Sequence, residues 1–216
     1  MPNTQLQETI FTVVTLGDQW IIPETLADRS GISSSEFAAL LTKREVIKLS
    51  AVRFTLSDNL ATYQAFIKPI HPLSELTKAM EEVTEIDFDQ AVSLPEALQG
   101  LVAFCQGTVL VCHNAVYTIG LLAENLQVCG LPALDEPMLD TQQLARRLHP
   151  GWHRASSSKV LAKHYRLPVD DLSYADRITA LFRVICQDLQ VTRGLTTVAD
   201  LQDFMTQNEI TKSLLY

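Results

Sequence analysis

Residues 110–118 read LVCHNAVYT. They close an all-apolar run, TVLVC at 108–112, and open onto His113, Asn114 and a helical pattern. Five consecutive apolar or β-branched residues with no polar alternation predict a strand covered on both faces. Residues 116–129 then predict a helix, stopped by Gly130 and Pro132. A central strand feeding directly into a helix is half of an α/β unit.

Working toward the N-terminus, residues 95–105 predict a helix with Pro95 in its first turn. Residues 74–82 predict another, set off by Pro69 and Pro72. Two strand-like runs, 46–56 and 62–67, flank the turn chemistry of Ser57, Asp58 and Asn59, which predicts an antiparallel hairpin. Residues 9–16 (TIFTVVTL) predict a buried strand ended by Gly17 and Asp18. Between the first and second strands, residues 22–41 carry helical apolar spacing that also looks like a short helix-turn-helix. Toward the C-terminus, a short strand or turn at 138–141 precedes helices at 142–148, 158–165 and 175–189, and an amphipathic helix near 198–205. The expected fold class is α/β with a mixed sheet. The expected division is one domain over 1–190, with a helical insert at about 20–44, and a helical extension over 191–216.

The chain has 216 residues, 47% of them apolar and 19% charged, which suffices for one substantial core. Its net charge of −8 argues against a grip on nucleic acid made mainly through phosphates. Basic residues cluster only at Lys43-Arg44, Arg146-Arg147 and within 159–166. The stretch from Trp152, His153 and Arg154 to Arg166 mixes bases and aromatics; it suits either a nucleic-acid backbone with stacking or a solvated helix face. The four cysteines form no C-x-x-C pair and read as buried reduced thiols. No signal peptide or membrane span is legible, so a cytoplasmic protein is expected.

Residues 110–118 resemble the strand-then-H-N-A-x-F-D motif of the DnaQ-like (DEDDh) 3′–5′ exonucleases, the RNase T superfamily. His113, Asn114 and Ala115 match, Tyr117 replaces the aromatic, and Thr118 stands where the Asp belongs. The order of the other segments agrees. VIKLSAVRF (46–54) resembles the second strand, YQAFIKP (63–69) the third strand and its proline, VTEI (83–86) the L-T-G-I segment, and LDTQQLARRLHP (139–150) the D-T, L-A-R, P stretch. The resemblance implies a ribonuclease H-like mixed sheet flanked by helices.

It also implies a two-metal chemistry in which four carboxylates hold two divalent cations and a histidine acts as general base. Carried over residue by residue, the first-strand D-x-E falls on Thr15 and Gly17, and the second motif's Asp on Thr118. The general base falls on Asp171, and the last carboxylate on Asp176 or, one residue earlier, on Ala175. Hydroxyls and a glycine cannot replace three negative charges around two dications. The expectation is therefore a catalytically degenerate exonuclease-fold protein that needs no cofactor and serves as a binding or regulatory module. Its partner would be a protein or a nucleic acid, the acidic charge favouring a protein and the 20–44 insert being the first place to look. His113 and Asn114 are the candidate nucleic-acid contacts. They also read simply as a local hydrogen bond and a helix cap. The alternative is an active exonuclease using Mg or Mn, with Asp18, Asp140, Asp171 and Asp176 converging on a rearranged site and Asp176 as a metal ligand. Asp18 could take part only if the strand end bulges. The oligomeric state is not legible.

Overall fold

The computed structural model describes residues 4–21, 44–152, 157–168 and 171–206. Its single sheet contains β1 (Phe11–Trp20), β2 (Arg44–Phe54), β3 (Asn59–Phe66), β4 (Val109–Cys112) and β5 (Met138–Asp140). The strand order is β3-β2-β1-β4-β5. The β1–β2 and β2–β3 pairs are antiparallel, whereas β4 runs parallel to β1 and β5 parallel to β4. Seven helices follow among the described residues: α1 (Glu75–Glu81), α2 (Leu94–Cys105), α3 (Ala115–Val128), α4 (Thr141–Leu148), α5 (Ser158–His164), α6 (Tyr174–Arg193) and α7 (Val198–Thr206). The mixed sheet flanked by helices is the architecture expected from the sequence.

The apolar strands at the sheet centre serve two cores, because alternate side chains point to opposite faces. Phe11, Val13, Val109 and Val111 turn to one face, where α4, α5, α6 and α7 bury Leu144, Leu161, Phe182 and Leu201. Val14, Leu110 and Cys112 turn to the other, covered by Leu98 and Leu101 of α2 and Leu122 and Leu126 of α3. Phe11, Phe54 and Phe182 form the aromatic centre of the first core, with ring centroids 4.8–5.8 Å apart. On the second face Gly100 of α2 admits Tyr63 of β3: a Cβ there would lie 2.7 Å from the Tyr63 hydroxyl, which donates to the Ala97 carbonyl. The segment leading into α7 is joined to the chain start. Leu6 N–H donates to the Thr196 carbonyl, Val198 N–H donates to the Thr4 carbonyl, and Gln5 bridges Thr197.

Several helix starts follow sequence chemistry closely. Ser74, Ser93, Ser157 and Ser173 each accept a backbone N–H in the first turn of the helix that follows. One boundary departs from expectation. β1 does not stop at Gly17-Asp18 but continues to Trp20, which pairs with Arg44. The register slips between Gly17 and Asp18, and this bulge lets the β1–β2 ribbon run on past a glycine that reads as a terminator. The helical insert, with its helix-turn-helix-like pattern at 22–41, lies outside the described residues, as do His153 and Arg154. No helix among the described residues is long and apolar enough to cross a membrane.

Candidate binding cleft

The carboxyl ends of the parallel strands open into a cavity of about 840 Å³. Open α/β sheets bind ligands at such strand ends. β1 contributes Thr15, Gly17, Asp18 and Trp20; β2 contributes Arg44 and Lys48; α1 contributes Met80 and Glu81. His113, Asn114, Tyr117 and Thr118 come from the β4–α3 junction, and Asp176 and Arg177 from the start of α6. The structure thus brings Thr15, Gly17, Thr118, Asp176, His113 and Asn114 to one cleft. Asp171 is exposed and does not line it.

Asp140, Asp176 and Asp18 each have a local occupation. Asp140 is buried at the end of β5 and caps two helices at once. Its Oδ1 accepts from Asn114 N–H (3.1 Å), Gln142 N–H (2.8 Å) and Gln143 N–H (3.4 Å), and its Oδ2 from Ala115 N–H (2.9 Å). Those donors belong to the first turns of α3 and α4, where helix N–H groups have no intrahelical acceptor. Asp176 accepts from the Ser173 hydroxyl at 2.6 Å, while that same oxygen accepts the Asp176 N–H. Asp18 does reach the cleft through the bulge, but it ion-pairs with Arg44.

His113 and Asn114 depart from the local reading. Asn114 occupies the N-cap of α3 in a left-handed conformation (φ 64°, ψ 62°), and its side chain makes no capping bond; Asp140 supplies the cap instead. Asparagine tolerates this conformation better than most residues. His113 bonds across the sheet to Thr141: its Nδ1 lies 2.8 Å from the Thr141 hydroxyl, whose own proton goes to the Cys112 carbonyl. The imidazole Nδ1 is therefore the donor.

At the base of the cleft stand Arg44, Trp20, Tyr117 and Glu81, none of them a site candidate in the sequence. The Arg44 guanidinium stacks 3.5 Å from the Trp20 ring centroid, ion-pairs with Asp18, and donates to the Tyr117 hydroxyl. Burial, followed by the hydrogen bond to Asp18 and its charge, pushes the Tyr117 phenol up. Thr15 spends its hydroxyl proton on the Ser50 carbonyl. Glu81 reaches in from α1, and burial, with Asp18 adding to it, pushes its carboxyl up from 4.5 to about 7. The only forward signal for these residues was the Lys43-Arg44 cluster and the aromatic at Tyr117.

These residues do not fit a pair of hard dications, which need several charged oxygen ligands. Thr15, Gly17 and Thr118 offer no charge, Asp140 is committed to backbone N–H groups, and Asp18 is neutralised by a guanidinium. Among the described residues, no group of three or more His, Cys, Asp or Glu is placed to hold a metal ion.

The chain has the fold of the DEDDh 3′–5′ exonucleases, a ribonuclease H-like mixed sheet flanked by helices. It superposes on the nuclease domain of 3′hExo, a DEDDh family member bound to rAMP, with a TM-score of 0.65 and 13% identity over 83% of this chain and 92% of that one. It also superposes on exonuclease X in complex with 5′ overhanging duplex DNA, with a TM-score of 0.54 and 17% identity over 90% of this chain and 99% of that one. In sequence it is 28% identical over 176 residues to DNA polymerase III PolC-type of Streptococcus sanguinis (strain SK36), covering 78% of this chain. It is 27% identical over 177 residues to the PolC-type polymerase of Lactococcus lactis subsp. lactis (strain IL1403), covering 79%. The match occupies only 12% and 11% of those proteins' lengths. No known family profile matches the chain.

Proposed function

We propose that this chain is a non-hydrolytic binding module built on an exonuclease fold, cytoplasmic in setting, whose strand-end cleft takes a phosphate-bearing ligand of the single-stranded nucleic-acid class. The observation that carries this reading is the exchange of carboxylates for other groups at the cleft base. Thr15, Gly17 and Thr118, on which the sequence resemblance places the family's acidic positions, line the cleft, and Arg44 lies across Asp18. Catalysis by two metals has too few ligands there, whereas recognition has suitable ones. Arg44, Lys48, Lys159 and Arg177 line the cleft against Asp18, Glu81, Glu82 and Asp176, so it is balanced in charge where the whole chain carries −8. Trp20, Tyr117 and Tyr174 add aromatic faces of the kind on which bases stack. His113 and Asn114 sit at its edge as candidate contacts.

A protein partner is the second reading. It is favoured by the acidic net charge and by exposed Leu76, Met80 and Ile86 around α1.

The test is incubation of labelled single-stranded DNA and RNA with Mg or Mn at high protein concentration, beside equilibrium binding in chelator. Binding without nucleotide release is the expected result. Metal-dependent release that Asp176→Ala abolishes would establish the active, rearranged site instead.

A further inference from the structure

Residue 17 has no side chain, and the space beside it is filled from another element. A Cβ on Gly17 would lie 2.7 Å from Glu81 Oε2 and 3.1 Å from Lys48 Cβ. The carboxyl of Glu81, the last residue of α1, therefore rests against bare β1 backbone and accepts from the Asp18 N–H. Charged and titratable groups face it from each neighbouring element: Asp18 on β1, Arg44 and Lys48 on β2, Tyr117 on α3 and Tyr174 on α6.

We propose that Glu81, seated in the space that Gly17 leaves open, makes the affinity of the cleft for anionic ligands depend on protons. The charge balance gives the direction. With Glu81 neutral, Arg44 and Lys48 are opposed locally by Asp18 alone, and the cleft base carries one surplus positive charge. Ionised Glu81 cancels that surplus, so an incoming phosphate meets no net attraction and a carboxylate nearby. A bound anion in turn favours the protonated carboxyl, so ligand and proton uptake are linked. Burial against the backbone and the Asp18 charge hold the carboxyl up at about 7, which places the transition near neutrality. Glu81 is thus a specificity residue for the charge state of the ligand. This inference rests on the cleft being the binding site.

The experiment has two arms. In the first, carboxyl resonances of Glu81 are followed by NMR in the ligand-free protein. Titration near 7 is expected; titration near 4.5, the value of an unperturbed glutamate, overturns the inference whatever the ligand does. In the second, anisotropy of a fluorescent oligothymidylate of about ten nucleotides is measured in chelator across neutrality. Above the transition, wild-type affinity should fall toward tenfold per pH unit, the limit for one linked proton. Glu81→Gln should bind about tenfold tighter than wild type at about pH 8.5, with a flatter profile. Gly17→Ala, whose Cβ expels the carboxyl, should move the transition acidward. Binding whose pH profile is the same in wild type and Glu81→Gln overturns the proton linkage and leaves the binding reading standing. A folded protein that binds at no pH overturns both.

Discussion

Replacing Asp140 with alanine would remove the acceptor that starts two helices. The Ala115 N–H at the head of α3 is buried, so it would be left without a partner, at about 1–3 kcal/mol. The Gln142 and Gln143 N–H groups of α4 would lose their N-cap, at about 1 kcal/mol. The Asn114 N–H is only partly buried and can turn to water, which adds little. Together the loss is about 2–4 kcal/mol, reduced if a water enters the space. Urea unfolding followed by far-UV circular dichroism would measure it. With a slope of about 1–3 kcal/mol per molar, the midpoint should fall by about 0.7 M or more at unchanged slope. Asp140→Asn keeps one acceptor oxygen and should lose roughly half as much. A fall below about 0.3 M for Asp140→Ala would refute the double-cap argument, because it would mean that neither helix start depends on this carboxylate.

Phe182 is fully buried and touches both Phe11 and Phe54, so Phe182→Ala should cost about 3–5 kcal/mol in the same assay. Glu81 has a folded-state pKa raised from 4.5 to about 7, so its stabilising contribution is complete below 4.5 and is lost as pH rises through about 7. Allowing for solvent screening of a partly exposed carboxyl, wild type should lose about 1–2 kcal/mol relative to Glu81→Gln over that window. Measuring both proteins at each pH isolates this term. Burial raises the Cys105 thiol to about 12 and also raises Cys112 and Cys186 well above the ordinary thiol value. Iodoacetamide on the native protein should therefore label Cys129 alone of the four cysteines, and mass spectrometry should find all four labelled after unfolding.

The sheet was legible where covalent neighbours decide the outcome. TVLVC at 108–112 reads as a central strand and forms β4, between β1 and β5. The order of motifs along the chain already groups Thr15, Gly17 and Thr118 at one site. What escaped was set by tertiary register. Whether β1 ends at Gly17 or bulges past it depends on pairing with β2, and that pairing alone carries Asp18 and Arg44 into the cleft. Glu81 reads in sequence as an ordinary charged residue near a helix end. Only the docking of α1 on β1 turns it into the neighbour of a missing side chain. Asn114 and Asp140 show the same limit: the residue with capping chemistry beside the helix does not cap it, and one 26 residues away does.

The join between Thr4–Leu6 and Thr196–Val198 has a consequence for the order in which the protein is made. Leu6 is fully buried in the core that Phe182 and Leu201 share, yet its backbone partner is Thr196. On a ribosome this residue has to wait for about 190 more to appear, roughly 10–40 s at ordinary rates of synthesis. Until then one face of the sheet stays open, and its exposed leucines and phenylalanines are the surface a chaperone would meet first.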